Sequence, residues 1–378
     1  MTKLTLAIEA RALSWPGRSG IRRVAESVIS ELVHHDSEVS LIVIVRDGKG
    51  SCQMDLGCRT IVVGGGAFSY LAWRVDRVAR AYGADVLVCI GPGAPRTSLP
   101  TIAIVHDVYP LRYGTFLPRR YRWSATGLRT RIATRLVLFS LRWCNSVLVP
   151  SYTTQRDLTR VWDPKSARMS VTRWGAYTGI VSMTGGDPVD SRVLMGTVAK
   201  YFLYVGNVNW AKGINELVAA YRKVRKRVEP SPELLIVGRP NWPRVADEVV
   251  SRVPGVRWIR EADDDELARL YRGAVAMVAP SYYEGFGLPV VEAMASGCPV
   301  IASDVSVYRE LLGPAGYFVP VGTVDPLAMA MVDVIQDCER RASMRALGEV
   351  RAANYTWDCV AARLISEASL LAGAGGDE

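Results

Sequence analysis

Residues 279–304 read APSYYEGFGLPVVEAMASGCPVIASD, and the order of residue types in this stretch decides the fold. Val275 to Ala279 is a short apolar run that ends at Ser281, as a strand buried on both faces does. A loop carrying Glu284, Gly285, Phe286 and Gly287 follows, and Pro289 then sits in the first turn of a helix, where proline is tolerated. Gly297 closes that helix and Pro299 opens the next strand. The result is a βαβ unit whose loop presents unpaired backbone N–H groups, and the positive end of a helix dipole, to an anion such as a phosphate. Glu284 and Glu292 flank this anion site. Carboxylates repel phosphate, so the chemistry that suits them is accepting hydrogen bonds from the hydroxyls of a sugar or a ribose. Taken alone, the stretch also admits a plain glycine turn with Glu292 as a solvated helix carboxylate.

Outward from this unit the same alternation recurs. Strands are expected at Leu4 to Ile8, Val39 to Val45, Thr60 to Val63, Val86 to Cys89, Thr101 to Val105 and Ser146 to Val149. They restart at Tyr201 to Val205, Glu233 to Val237, Val256 to Ile259, Val275 to Ala279 and Val300 to Ala302, with helices expected at Ile214 to Val228 and Pro243 to Val253. The class is α/β with parallel sheets. Length agrees, because 378 residues exceed what one core of about 100 to 200 residues organises. The turn-rich segment Ser182 to Gly196 separates two such patterns. The expected division is an N-terminal domain at 1–185, a linker at 186–198, a second domain at 199–356 and a terminal helix at 357–378. Both domains are doubly wound and Rossmann-like, facing a central cleft that takes the ligand.

Charge is unequally shared. Residues 1–198 hold 26 Lys and Arg against 14 Asp and Glu, whereas 199–378 hold 20 against 23. The basic half calls for an acidic partner, with nucleic acid, a phosphorylated lipid and an anionic membrane all in play. No apolar run approaches the roughly 20 residues of a spanning helix, and Glu9 and Arg11 interrupt any leader-like segment, so a cytoplasmic location is expected. The seven cysteines form no CxxC pair and read as reduced, mostly buried thiols. Of three histidines, His34 and His35 lie in a polar helix-to-loop stretch, which leaves His106 as the one with a functional reading.

The segment PSYYEGFGLPVVEAMASGCPVIASD resembles the E-x7-E signature of the retaining glycosyltransferases of GT-B fold, the broad group that contains bacterial mannosyltransferases and sucrose and glycogen synthases. Other stretches follow in the same order. FLYVGNVNWAKG at 202–213 resembles the family's strand, glycine and lysine segment; TIAIVHD at 101–107 resembles its strand ending in a His-Asp pair; GRSGIRRV at 17–24 resembles its first glycine loop. The resemblance implies that Glu284 contacts hydroxyls of the donor sugar. It also implies that the backbone of Gly285, Phe286, Gly287 and Leu288 meets sugar and diphosphate, that Glu292 holds the ribose and that Lys212 neutralises the diphosphate. Catalytic roles then fall to His106, Lys212 and Glu284. Donor contacts extend to Gly206 and Asn207, and acceptor contacts to Gly17, Ser19, Gly20, His106 and Asp107. The terminal helix, from Trp357 onward, packs back toward the first domain in similar proteins.

One departure matters: where members carry an arginine beside the diphosphate, this chain has Asn207 and Ala211, and Arg239 is the candidate substitute. Asp263-Asp264-Asp265 has the look of a metal-binding Asp-x-Asp pair, but it precedes a helical pattern and reads better as an N-cap. No cofactor or metal is then expected beyond the nucleotide diphosphate sugar as co-substrate. From Arg119 to Trp143 the chain is amphipathic and cationic. Its apolar stripe is either core or, together with Arg119, Arg120, Arg122 and Trp123, a patch resting on an anionic membrane. No nucleic-acid-binding motif accompanies it. The resemblance implies transfer of a hexose, with mannose from GDP-mannose first, to a saccharide acceptor, lipid-linked under the membrane reading, in bacterial-type polysaccharide assembly. The alternatives are transfer to a soluble small molecule, or nucleotide-sugar binding without transfer.

Overall fold

Runs of valine, isoleucine, leucine and alanine without polar interruption become the central strands of two parallel sheets, because such strands are covered on both faces. A computed structural model of the chain describes residues 3–15, 19–47, 56–66, 70–109, 111, 119, 123–164, 167–176, 200–241, 250 and 253–373. By contact the chain divides into two units. The first comprises Met1–Arg112, Arg122–Gly175 and Thr356–Glu378, and the second Tyr113–Tyr121 and Ala176–Tyr355. The expected linker at 186–198 and most of the helix expected at Pro243 to Val253 lie outside the described residues.

In the first unit the strands are β1 (Leu4–Glu9), β2 (Val39–Arg46), β3 (Arg59–Val63), β4 (Val86–Cys89), β5 (Thr101–Ile104), β6 (Ser146–Val149) and β7 (Arg168–Val171). They pair in parallel in the order β3-β2-β1-β4-β5-β6-β7. Strands β4, β5 and β6 are buried throughout, while the edges β3 and β7 are partly exposed. Chain order reverses between β1 and β4, so the crossovers on either side leave in opposite directions and open a crevice at the carboxyl ends of these two strands.

The second unit repeats the plan with β8 (Tyr201–Val205), β9 (Glu233–Val237), β10 (Val256–Ile259), β11 (Ala276–Ala279), β12 (Val300–Ser303) and β13 (Gly316–Val319). Their order is β10-β9-β8-β11-β12-β13, all parallel, with the reversal between β8 and β11. Its core joins β8, β9, β11 and β12 to the helices Ile214–Val224 and Asp325–Gln336, through Phe202, Leu234, Ile301 and Met331 among others. Each such side chain contributes about 1.5–3 kcal/mol on burial. β7 and β13 escape the sequence reading because RMSV and GYFV are four-residue edge strands with mixed polarity.

The helix Trp357–Gly373 belongs to the first unit, although it lies at the far end of the chain. Trp357 stacks on Trp174 with ring centroids 6.1 Å apart. Glu367 is buried and accepts hydrogen bonds from Ser146 Oγ at 3.3 Å and Ser170 Oγ at 3.0 Å, with the Arg363 guanidinium 3.2 Å away. The terminal helix is therefore stitched to β6 and β7 by a carboxylate whose charge is compensated, the condition on which a buried charge is tolerated.

Two expectations need correction. Among the described cysteines, Cys89, Cys144 and Cys298 are buried, but Cys338 and Cys359 are exposed and Cys58 is half-buried, so the thiols are not mostly core residues. Burial pushes the Cys144 and Cys298 thiols up to about 12, which leaves them inert. The helix Ala125–Ser140 also departs from the core reading of its stripe. Leu128, Ile132, Leu136 and Phe139 are all exposed, Leu136 to 64%, and only Gly127, Leu138 and Ser140 are buried.

Because Glu367 anchors the terminal helix through three partners, Glu367→Ala is expected to lower the stability of the first unit by about 1–3 kcal/mol. Glu367→Gln should cost less. Calorimetric melting of both variants checks the order.

Candidate active site

Geometry at the reversal between β8 and β11 follows from how two loops are tied. After β8 the chain passes Gly206 and Asn207 and makes a 3-10 turn at Trp210–Lys212, whose start is capped by buried Asn209 accepting from the Lys212 N–H at 3.2 Å. After β11 it runs through Pro280 and Ser281 to Glu284. The Tyr282 N–H donates to the Ala211 carbonyl at 3.0 Å, and the rings of Trp210 and Tyr282 stack at 4.8 Å. Gly213, at φ +70°, lets the first loop press on the second: an added Cβ would stand 2.1 Å from the Pro280 carbonyl oxygen. Only glycine satisfies both conditions.

The tie brings Lys212 Nζ to 2.7 Å from Glu284 Oε2. Both side chains are largely shielded, 22% and 18% exposed, so the pair is held in a mostly desolvated setting. Glu284 Oε1 accepts from Ser281 Oγ at 2.9 Å and from the Tyr308 hydroxyl at 3.2 Å. Tyr308 also reaches Ser281 Oγ at 3.3 Å. Burial raises the Tyr308 phenol well above its ordinary range, and the Glu284 charge adds to this. Tyr204 is raised for the same two reasons, and its hydroxyl donates to the Asn207 carbonyl at 2.8 Å. Both phenols therefore stay protonated and serve as donors.

Beyond Glu284 lie buried Gly285 and Phe286, then Gly287 at φ +110° as the N-cap of the helix Leu288–Ala295. Gly287 offers no side-chain cap, Pro289 has no N–H, and the Val290 and Val291 N–H groups donate to the Gly287 carbonyl at 2.9 and 3.3 Å, so within the first turn Leu288 carries the N–H left for an anion. Glu292, one turn further on, is 2% exposed and accepts from the Tyr271 hydroxyl at 3.0 Å. The reading of Glu292 as a solvated surface carboxylate is thus overturned. Lys212, Glu284 and the 285–288 backbone come together as expected. Arg239 stands beside the same loop, its carbonyl accepting from the Val208 N–H at 2.8 Å, but its guanidinium is exposed and paired with Glu261. The substitute for the missing arginine is therefore engaged elsewhere in this structure. Asp263 caps the helix Asp264–Gly273, accepting from the Glu266 N–H at 2.7 Å, as an N-cap carboxylate does.

In the first unit, Ser19 caps the helix Gly20–His34 by accepting from the Arg22 N–H at 3.2 Å, with Gly20 as its first residue; Gly17 lies outside the described residues. His106 follows β5 and sits 2.9 Å from the Ile90 carbonyl through Nε2, with its ring 5.9 Å from that of Trp174. Burial holds its pKa below the ordinary value, so the neutral imidazole donates from Nε2 and keeps Nδ1 as an acceptor. Asp107 is exposed and accepts from the Tyr109 N–H at 2.9 Å. Under the same strand ends lies a pair that sequence reading missed. Glu9 and Arg11 are buried, with Arg11 Nε 3.4 Å from Glu9 Oε1 and Gly91 leaving the room they fill. Arg119 is exposed, and so is Trp123, to 65%; Arg120 and Arg122 lie outside the described residues.

Ser281, Tyr308 and Tyr271, which brace the two glutamates, were also missed, as was Tyr204 on the Asn207 carbonyl. Ser281 stands three residues from Glu284 and offered a local signal, whereas the tyrosines lie in apolar strand or helix patterns that read as core. Gly213→Ala combines a left-handed backbone with a backbone collision, and it is expected to destabilise the second unit by more than about 2 kcal/mol. A lowered melting temperature of that unit, with the first unit unmoved, is the expected calorimetric result.

Residues 195–350 match the family model described as glycosyl transferases group 1. O-antigen chain mannosyltransferase B of Escherichia coli is 27% identical over 249 residues, 64% of this chain and 65% of that one. A phosphatidyl-myo-inositol mannosyltransferase of Mycobacterium leprae (strain TN) is 29% identical over 348 residues, 80% of this chain and 92% of that one. Sucrose-phosphate synthase from Thermosynechococcus elongatus superposes with a TM-score of 0.75 over 98% of this chain and all of that one, at 21% identity. The crevice between β8 and β11 thus lies in a glycosyl transferase group 1 domain, carried by a chain that has the GT-B fold.

Proposed function

We propose that this protein is a retaining glycosyltransferase that moves a hexose, mannose from GDP-mannose, to a saccharide carried on a lipid. The observation that carries the proposal is the Lys212–Glu284 pair at 2.7 Å across the β8/β11 reversal, at the uncapped start of the helix Leu288–Ala295. An ammonium and the positive end of a helix dipole supply positive charge where a diphosphate leaves, and the carboxylate beside them accepts from hydroxyls of the sugar. The mannosyltransferase relatives support the choice of sugar, and the phosphatidyl-myo-inositol of the mycobacterial one supports a lipid-borne acceptor.

In this mechanism the bond between the anomeric carbon and the diphosphate oxygen breaks while the acceptor hydroxyl forms the new bond on the same face and gives up its proton to the departing diphosphate oxygen. Lys212 moves from Glu284 to the departing diphosphate, and the positive end of the helix Leu288–Ala295 faces the rest of its charge. Glu284, braced by Ser281 and Tyr308, then accepts from the sugar. Glu292, braced by Tyr271, accepts from the ribose. The role of a cation is taken by Lys212, so transfer continues in the presence of EDTA in this proposal.

The exposed face of Ala125–Ser140 supports a membrane-borne acceptor. Arg131 lies 5.7 Å from the ring of exposed Trp123 and Arg142 lies 4.7 Å from that of Phe139. Side chains that pair a ring with a guanidinium suit an anionic interface, at about 1 kcal/mol per basic residue near the surface.

Incubation with GDP-mannose, UDP-glucose and dTDP sugars, with and without a lipid-linked saccharide, tests the reaction through released nucleoside diphosphate and the anomeric configuration of the product. Binding of every donor with release of none would make this a nucleotide-sugar-binding protein. Lys212→Ala is expected to slow transfer by about 100-fold or more. Glu284→Gln should reduce turnover more than nucleotide affinity, and Glu292→Ala the reverse. Liposomes containing anionic lipid should sediment the protein at low salt and release it at 0.5 M salt. Sedimentation indifferent to lipid charge would move the acceptor into solution.

A further inference from the structure

His35 ends the first helix of the chain, and its ring is held from both sides. Nδ1 lies 3.1 Å from Glu38 Oε1, and Nε2 lies 3.3 Å from Asp358 Oδ1, in the first turn of the terminal helix. Glu31 stands four residues before His35, on the same helical face. One ligand atom from each of Glu31, His35 and Asp358 falls within 4.8 Å of the others, the one such group of histidine, cysteine and carboxylates among the described residues.

We propose that Glu31, His35 and Asp358 form a zinc site that fastens the terminal helix to the first. Three features fit a metal ion better than a chance cluster of surface charge. First, Zn²⁺ bonds to nitrogen and oxygen of about 2.0–2.1 Å place tetrahedral ligands about 3.3–3.4 Å apart, and the Nε2 to Asp358 distance of 3.3 Å matches that edge. Second, with an ion on Nε2, Glu38 would accept from Nδ1–H and hold the neutral ring in the metal-binding tautomer, the carboxylate–histidine arrangement that orients metal-binding imidazoles. Third, two ligands come from one helix and the third from an element more than 300 residues away, so an ion would join two segments distant in sequence. The Glu31 carboxylate closes on the ion by side-chain rotation, and water takes the fourth position. All of these ligands belong to the first unit, so the site is structural and separate from the Lys212–Glu284 crevice. The competing account is metal-free: an imidazolium that donates to Glu38 from Nδ1 and to Asp358 from Nε2.

The test is titration of the full chain with Zn²⁺ near pH 7.5, followed by calorimetry and thermal melting. Because Cys338 and Cys359 are exposed and also bind soft metals, the titration is run with Cys52, Cys58, Cys338 and Cys359 changed to serine. Co²⁺ added to the unmodified chain provides a second measurement, since tetrahedral nitrogen and oxygen ligation gives visible bands without the near-ultraviolet absorption of thiolate ligation. One equivalent of Zn²⁺ should bind and raise the melting temperature, and Mg²⁺ should not. His35→Gln and, independently, the exposed-site variant Asp358→Asn should weaken Zn²⁺ binding by at least 100-fold. Glu38→Gln, which touches only the ring, should weaken it by about 10- to 100-fold. Unchanged affinity in His35→Gln or Asp358→Asn, or no saturable Zn²⁺ binding to the serine variant, would overturn the zinc site in favour of the imidazolium.

Discussion

A parallel sheet covered on both faces has no interior place for an ammonium group, so its charge chemistry is forced to the carboxyl ends of the strands. In the second unit this constraint meets the reversal between β8 and β11, where the two crossovers part. Lys212 arrives on one side and Glu284 on the other, and they neutralise each other at 2.7 Å. Everything around the pair serves to hold the two loops in register: the Tyr282 N–H on Ala211, the absent side chain of Gly213 and the Asn209 cap. A resting ion pair of this kind keeps the ammonium positioned at the strand ends. In the reaction proposed above, a diphosphate with two or more negative charges would compete for it more strongly than one carboxylate does.

The fold was legible because its central strands are nearly pure aliphatic runs between turn residues. All eleven strands of the sequence reading begin and end within a residue or two of the observed β1–β6 and β8–β12, and the glycine loop at 284–287 precedes its helix as the residue order requires. Legibility failed wherever the deciding partner lies far along the chain. Tyr308 braces Glu284 from 24 residues away and Tyr271 braces Glu292 from 21, yet each is an apolar-face tyrosine on a helix by pattern. Glu9 and Arg11 read only as interruptions of a leader-like segment, and the space beneath Gly91 shows how both are accommodated in the interior.

The amphipathic helix at 125–140 shows the same limit in the opposite sense. Its stripe is indistinguishable in sequence from a core-facing one, since periodicity reports only that one face is apolar and not what covers it. Exposure of Leu128, Ile132, Leu136 and Phe139 follows from the next turn of the chain: Leu138, Ser140 and Leu141 take the buried positions instead. The buried face near the helix end thus carries Leu138 and Leu141, which join the core of the first unit, beside Ser140, whose Oγ accepts from the Ala94 N–H at 3.0 Å. These contacts, rather than the larger apolar stripe, cover the side of the helix that is buried.

The terminal helix completes the same account of long-range polar contacts. Its apolar residues Val360, Ala361, Leu364 and Ala368 are buried, but apolar contact is tolerant of sliding, and a helix laid on others can shift by a turn at modest cost. Glu367 removes that freedom, because its two carboxylate oxygens meet Ser146 on β6 and Ser170 on β7 and an unpaired carboxylate there would carry the full cost of desolvation. Trp357 against Trp174 and Asp358 against His35 fix the other end of the helix. With one buried carboxylate near its end and a ring stack and the His35–Asp358 contact at its start, the helix has a single register. A segment drawn from the far end of the chain thereby becomes a fixed part of the first unit.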